Sequence, residues 1–295
     1  MRLLPLVLAA LTVGFSSATP LGDRKSELVF GGGLAAPGDF PNQVFIRLRD
    51  EDGNSFRCGG ALISTTHVLT AGHCTDGSVV QGSTIMVGAV NLDSPDAVWR
   101  NIRNFTTHPQ YDAEGNFPIN DIAVVEFDPP VVLSKDIQLT KIVEDDDELM
   151  KSATATVTGF GSYTLDNNNE TLVSDDLRYT EINLFSRDFC DQKLKDKDPA
   201  DSLKEYQFCA GARERGNGEG DSGGPIQVHH NNELYQIGLI SFGETDPFIA
   251  AHDQDKVPAY YTRVSKFCDF IDSATEGVAR CGCLSGDVTT TMADN

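Results

Sequence analysis

Ser222 sits in the run Gly218-Glu219-Gly220-Asp221-Ser222-Gly223-Gly224-Pro225, where small neighbours leave the hydroxyl and the backbone N–H groups uncovered. Such a serine can attack a carbonyl while the N–H groups hold the oxyanion that forms. It needs a base to take its proton. Thr70-Ala71-Gly72-His73-Cys74 supplies an imidazole, and Asn120-Asp121-Ile122-Ala123 supplies a carboxylate that could orient it. Serine, histidine and aspartate together perform acyl transfer.

Gly220-Asp221-Ser222-Gly223-Gly224 also satisfies the G-x-S-x-G elbow of α/β-hydrolases. That fold places the acid and the histidine after the serine. His229, His230 and His252 do follow, with Asp246, Asp253 and Asp255 nearby, but the chain before Ser222 lacks the alternation of strand and helix that a parallel sheet requires.

The order His73, Asp121, Ser222, each in its local wording, resembles the chymotrypsin-like serine proteases, the family of trypsin, chymotrypsin and elastase. The resemblance runs from residue 29 nearly to the end. It includes Val29-Phe30-Gly31-Gly32, Phe40-Pro41-Asn42-Gln43-Val44, Cys58-Gly59-Gly60-Ala61-Leu62-Ile63 and Tyr261-Thr262-Arg263-Val264. Alone, His73 would pass for a core histidine and Asp121 for a turn residue; their joint occurrence with Ser222 decides otherwise. The resemblance implies that His73 is the general base and then the acid, that Asp121 fixes its tautomer, and that the N–H groups of Gly220 and Ser222 form the oxyanion hole. It implies further that Asp221 pairs with a new α-amino group at Val29 once the chain is cut there.

The elements that must position these groups are strands. Short runs rich in Val, Ile, Thr and Phe, namely Gln43 to Leu48, Ala61 to Thr70, Ile85 to Val87, Ile122 to Phe127, Thr154 to Thr158 and Tyr235 to Phe242, are separated by Gly, Pro, Asn and Asp. That pattern gives an all-β sandwich or barrel, and the resemblance selects two six-stranded antiparallel barrels with the site between them. Phe267, Phe270 and Ile271 lie at helical spacing within 264–279, matching the family's C-terminal α-helix. No repeat at a fixed period is visible.

Residues 1–18 carry Arg2, an apolar run to Phe15 and a small-residue end at Ala18, the form of a secretory signal. We expect an activation propeptide over 19–28, the protease domain over 29–280 and a tail over 281–295. The net charge of −21 argues against nucleic acid and anionic membranes as partners, and no later stretch reads as an anchor. Seven cysteines in a secreted chain point to disulfides. The resemblance pairs Cys58 with Cys74 and Cys190 with Cys209. Two of Cys268, Cys281 and Cys283 would close a loop, leaving the third free or linking two chains; a monomer is expected.

A further family bridge would need cysteines at Gly218 and on the segment after Gly243, and both are absent. The block Glu144-Asp145-Asp146-Asp147-Glu148 repels itself and reads as a solvated hairpin tip rather than a calcium site. Some relatives bind calcium in the loop before Asn91, but Ala89 follows Gly88 here, and neither a metal nor a cofactor is expected. Lys193 to Asp201 enlarges the loop between Cys190 and Cys209. Asn104 and Asn169 head glycosylation sequons that would mark exposed loops.

By resemblance the specificity pocket is read at Gly216, Ser241, Phe242, Gly243 and Ala259, with Glu219 at its rim. Gly216 stands where trypsin-like members carry an aspartate, so Arg and Lys are disfavoured. Gly243 leaves the entrance open, and Ala259 narrows the base. A preference for Leu, Phe, Tyr or Met follows, with an elastase-like preference for smaller residues second. Leu28, before the expected cut, suits that pocket, which makes autoactivation a hypothesis. The expected partners are protein or peptide substrates and protein protease inhibitors. A catalytically silent homologue that binds proteins is the reading from another class.

Overall fold

The computed structural model describes residues 30–113 and 117–284. The expected signal and propeptide, Val29, and most of the expected tail lie outside them.

A short strand, β1 (Gly33–Leu34), precedes six that close on themselves: β2 (Gln43–Asp50), β3 (Ser55–Leu62), β4 (His67–Thr70), β5 (Ser78–Val87), β6 (Val98–Thr107) and β7 (Ala123–Asp128), in the order β2-β3-β4-β7-β6-β5. Alternation along β2 separates two faces. Val44, Ile46 and Leu48 point into the barrel with Leu62, Val68, Ile85 and Val125, while Phe45 faces out against Phe160 of the second half. Every one of these is essentially buried, and burial of each side chain of this size is worth about 1.5–3 kcal/mol.

The second half contains β8 (Thr154–Gly159), the hairpin β9 (Ser162–Leu165) and β10 (Thr171–Val173), then β11 (Arg178–Leu184), β12 (Gln207–Gly211), β13 (Pro225–His230), β14 (Glu233–Phe242) and β15 (Ala259–Arg263). Six of them close in the order β8-β11-β12-β15-β14-β13 around Val157, Ile182, Phe208, Ile226, Ile237 and Tyr261. Two six-stranded antiparallel barrels are therefore present, as expected. β1 pairs with β11, Gly33 opposite Tyr179, and so carries the start of the domain onto the second barrel. The turn from β13 to β14 is Asn231-Asn232, both at positive φ (50° and 63°), a conformation asparagine tolerates and a tight hairpin needs.

The helices are short: α1 (Gly72–Thr75), α2 (Arg187–Lys197), α3 (Pro247–His252) and α4 (Cys268–Ala274). The stretch read as an enlarged loop from Lys193 is in part the end of α2, which starts where Ser186 Oγ accepts the N–H of Phe189. The C-terminal helix is shorter than 264–279, because Val264–Phe267 forms a tighter 3-10 turn before α4. Phe267 and Ile271 still pack against Leu69, Ile122, Val124 and Leu239 at the seam between the barrels.

Cys58–Cys74, Cys190–Cys209 and Cys268–Cys281 are bonded, and Cys283 is free and exposed. The acidic block is not wholly a solvated tip. Asp146 is buried at 2% exposure, held by Arg263 Nε at 2.9 Å and Ser265 Oγ at 2.8 Å, while its acidic neighbours stay exposed. One cation from β15 suffices to draw in one carboxylate of five. Asn169 sits at the tip of the β9–β10 hairpin, but Asn104 lies on the exposed face of β6 rather than on a loop.

Candidate active site

β4 and β7 are neighbours, Thr70 opposite Ala123, so the residues leaving one strand and entering the other meet at the same barrel end. That register brings His73 of α1 to Asp121. Asp121 is 1% exposed and fully engaged. Its Oδ1 accepts the His73 backbone N–H at 2.8 Å, and its Oδ2 accepts His73 Nδ1–H at 2.9 Å and the Ser241 hydroxyl at 2.5 Å. Its carbonyl accepts from Thr262 Oγ1 at 2.9 Å. With Nδ1–H given to the carboxylate, the neutral ring keeps its lone pair on Nε2.

Burial works against charge on both members of this pair. Against the desolvation of His73, the adjacent Asp121 charge and hydrogen bond prevail and raise the imidazole above its ordinary value. Desolvation likewise opposes ionisation of Asp121, but His73, the Ser241 hydroxyl and the backbone N–H hold it below the usual carboxylate range.

Ser222 is carried on a loop clamped from both sides. The Gly59 N–H donates to the Ser222 carbonyl at 2.7 Å, and the Gly223 N–H donates to Ile240 O at 2.8 Å. Gly223 has φ +75°, and a Cβ there would lie 2.1 Å from Thr70 Oγ1. Only glycine lets this loop press against the end of β4, two residues before α1 and His73. The Ser222 hydroxyl makes no hydrogen bond to His73 in this state, a looseness usual in such pairs before substrate binds. Gly220 has φ +89°, and among the described residues its N–H and that of Ser222 donate to no other group.

Asp221 is buried beneath this loop, its carboxylate accepting from Gly161 N at 2.7 Å and Gly218 N at 2.9 Å. Burial pushes its pKa up to about 7 against the pull of those two N–H groups. Val29 is outside the described residues, but Phe30 is 4% exposed, and its carbonyl accepts the Gly216 N–H at 3.2 Å. Its ring lies 2.8 Å from where a Cβ on Gly218 would stand. A cysteine at 218 would collide with it, which accounts physically for a glycine where a bridge is usual.

A cavity of about 450 Å³ opens beside Ser222. Asn217 to Glu219, Ser241 to Thr245, Gln254 and Ala259 are among the residues that line it. Of the sequence-read pocket residues, Glu219, Ser241, Phe242, Gly243 and Ala259 line it, while Gly216 lies behind Gln254. Ser241 spends its hydroxyl on Asp121, and Glu219 is exposed at the rim beside Thr171. Phe242 is sandwiched between Tyr260, at 4.7 Å and 6°, and Phe117, at 5.1 Å and 28°. Phe117 and Gln254 were missed in the sequence, since both come from loops without local wording. Cys58, Cys74 and His73 gather ligand-type atoms, but both sulfurs are committed to a disulfide.

The sequence model of the Trypsin family matches residues 29–271. A protein named Trypsin from Phaedon cochleariae is 30% identical over 279 residues, covering 92% of this chain and 98% of that relative. Chymotrypsin-C from Mus musculus is 29% identical over 283 residues, covering 90% and 96% respectively. With two barrels and this site between them, the chain belongs to the trypsin family and is a serine endopeptidase, acting on protein substrates. Among the described residues no helix is long and apolar enough to cross a membrane.

Proposed function

We propose that Ser222, His73 and Asp121 form the catalytic triad of a secreted endopeptidase made as a zymogen, with a preference for cleavage after large apolar side chains. The hydrogen-bonded chain Ser241–Asp121–His73, together with Ser222 in the lining of the cavity, carries this reading. His73 Nε2 takes the Ser222 proton as Oγ attacks the scissile carbonyl. The C–N bond then breaks as the imidazolium returns that proton to the leaving amine, and water repeats the sequence on the acyl-enzyme. The N–H groups of Gly220 and Ser222 hold the oxyanion in both halves, each worth about a hundred- to a thousandfold in rate.

Cleavage before Val29 would free an ammonium to pair with Asp221 and fix the loop that carries those donors. The buried seat of Phe30 supports delivery of that terminus to the pocket. The signal at 1–18, the propeptide at 19–28, the domain at 29–280 and use of Asn104 and Asn169 for glycosylation belong to the same reading. Of the two anionic residues in the cavity lining, Glu219 is exposed and Glu244 is paired with Lys197 at 3.1 Å, and Gly216 brings no carboxylate, which supports apolar rather than basic specificity.

The test is digestion of a diverse peptide mixture, read by mass spectrometry, using protein starting at Val29 beside its Ser222→Ala counterpart. Cuts after Leu, Phe, Tyr or Met that vanish in the variant are expected. Cuts mainly after Arg or Lys would overturn the specificity and spare the triad; no cuts from folded protein would leave a binding homologue.

A further inference from the structure

A second concavity, an open cleft of about 730 Å³, shares Phe30 with the cavity beside Ser222. Its volume is that of a small-molecule site. The β9–β10 hairpin supplies one part of its lining and α3 another. Phe248 of α3 is 51% exposed there, although its ring is held flat against His252, with centroids 4.4 Å apart and planes at 27°. A large aromatic face that is fixed in place and left uncovered is a platform for a ligand. Around it stand the Thr164 hydroxyl and the exposed guanidinium groups of Arg213 and Arg215. This combination suits a sugar, whose weakly positive C–H face stacks on the negative face of a ring while its hydroxyls and amide oxygen take hydrogen bonds from polar and charged donors.

A sugar can be attached to the wall of this cleft. Asn169 lines it and heads the sequon Asn169-Glu170-Thr171. The hairpin tip is built by Asp166, whose Oδ1 accepts the N–H groups of Asn168 at 2.7 Å and Glu170 at 2.9 Å, so Asn169, exposed at φ +62°, keeps its amide available. We propose that an N-linked glycan on Asn169 folds into the cleft, its first N-acetylglucosamine stacked on Phe248. This rests on the reading of the chain as a secreted glycoprotein. A transferase moves the oligosaccharide from a lipid diphosphate donor: the bond from Asn169 Nδ2 to the sugar C1 forms as the C1–O bond to the diphosphate breaks, and the amide loses one proton. The docked sugar then braces the hairpin against α3 on the flank of the active site. Thr171 Oγ1 donates to Glu219 Oε2 at 3.4 Å, and the Ser162 N–H donates to the Glu219 carbonyl at 2.7 Å, so the hairpin carries the rim of the cavity. From the other side, Pro247 and Ala250 of α3 line that same cavity.

The test uses protein secreted from a glycosylating host, processed before Val29 and carrying Ser222→Ala to prevent self-digestion. A glycopeptide mass at Asn169 is expected. Amide hydrogen exchange over the β9–β10 hairpin, read by mass spectrometry, should be slower in the glycosylated protein than in Asn169→Gln by up to about tenfold, the scale of one stacking contact. In a Phe248→Ser background the glycan should no longer slow exchange, a dependence that mere bulk at the hairpin tip would not produce. Enzymatic removal of the glycan from the folded protein gives the same comparison without relying on Asn169→Gln to fold. Equal exchange with and without the sugar, or a glycan effect that survives Phe248→Ser, overturns the docking while glycosylation stands. An unmodified Asn169 in the secreted protein overturns the glycosylation reading and this assignment with it. Peptide cleavage by the Ser222 enzyme is read separately, so neither result is confused with failure of the triad.

Discussion

Asp121 concentrates the electrostatics of the site in one buried side chain. Three donors converge on its two oxygens, and two of them belong to His73. Because the carboxylate outweighs desolvation and raises the imidazole above its ordinary value of 6.5, the base becomes neutral only above that value. Turnover should therefore rise with pH through a midpoint above 6.5, seen as the acid limb of a kcat/KM profile. Asp121→Asn removes the charge and permits the wrong tautomer, so kcat should fall by about four orders of magnitude, the loss known for this constellation. The limb should then move to lower pH. An unmoved limb would mean that another group sets it.

At the scale of elements, the acidic block and β15 stabilise one another. Arg263 reaches both buried Asp146 and exposed Asp147, tying the segment before the 3-10 turn at Leu149–Lys151 to the end of the second barrel. Arg263→Met would strip the counterion from a carboxylate that is 2% exposed, while Asp147 would lose little because water reaches it. The expected cost is about 3–5 kcal/mol, the usual result of orphaning a buried charge. Urea unfolding of a Ser222→Ala background, free of self-digestion, measures it; a double variant Arg263→Met with Asp146→Leu should recover much of the loss. A shift below about 1 kcal/mol in the single variant would show the pair to be solvated.

For the whole molecule, Phe30, the first described residue, seats against Gly216 and Gly218 of the loop that leads to Ser222, and Asp221 lies buried under that loop. With its pKa pushed by burial to about 7 from the ordinary 3.8, the folded chain holds a proton that the unfolded chain releases. Stability should therefore fall as pH rises from about 4 to about 7, by up to about 4 kcal/mol. An ammonium at Val29 would favour the ionised carboxylate and abolish the decline. Urea midpoints of Ser222→Ala protein, intact and processed before Val29, at pH 5 and pH 7.5 test this; parallel profiles for the two forms would remove Asp221 from the activation scheme.

Much was legible without coordinates, because acyl transfer demands particular residue types in fixed local settings. Ser222 among glycines, His73 beside Cys74 and Asp121 after Asn120 carry their chemistry in the wording around them, and the Val, Phe and Ile content of Gln43 to Leu48 marks a strand. Local wording reaches only a few residues. The burial of Asp146 depended on Arg263, 117 positions away, and the C-terminal helix proved shorter because Val264–Phe267 winds as a 3-10 turn before it. Ser241 was read as pocket wall, yet its hydroxyl is committed to Asp121, a contact 120 residues apart. The sequence by itself determined the reacting groups, since each must be of one chemical type. Only the tertiary structure decided which side chain stands against Gly216, because the volume that glycine leaves is filled by whichever distant side chain the packing of the loops delivers there, and that is Gln254.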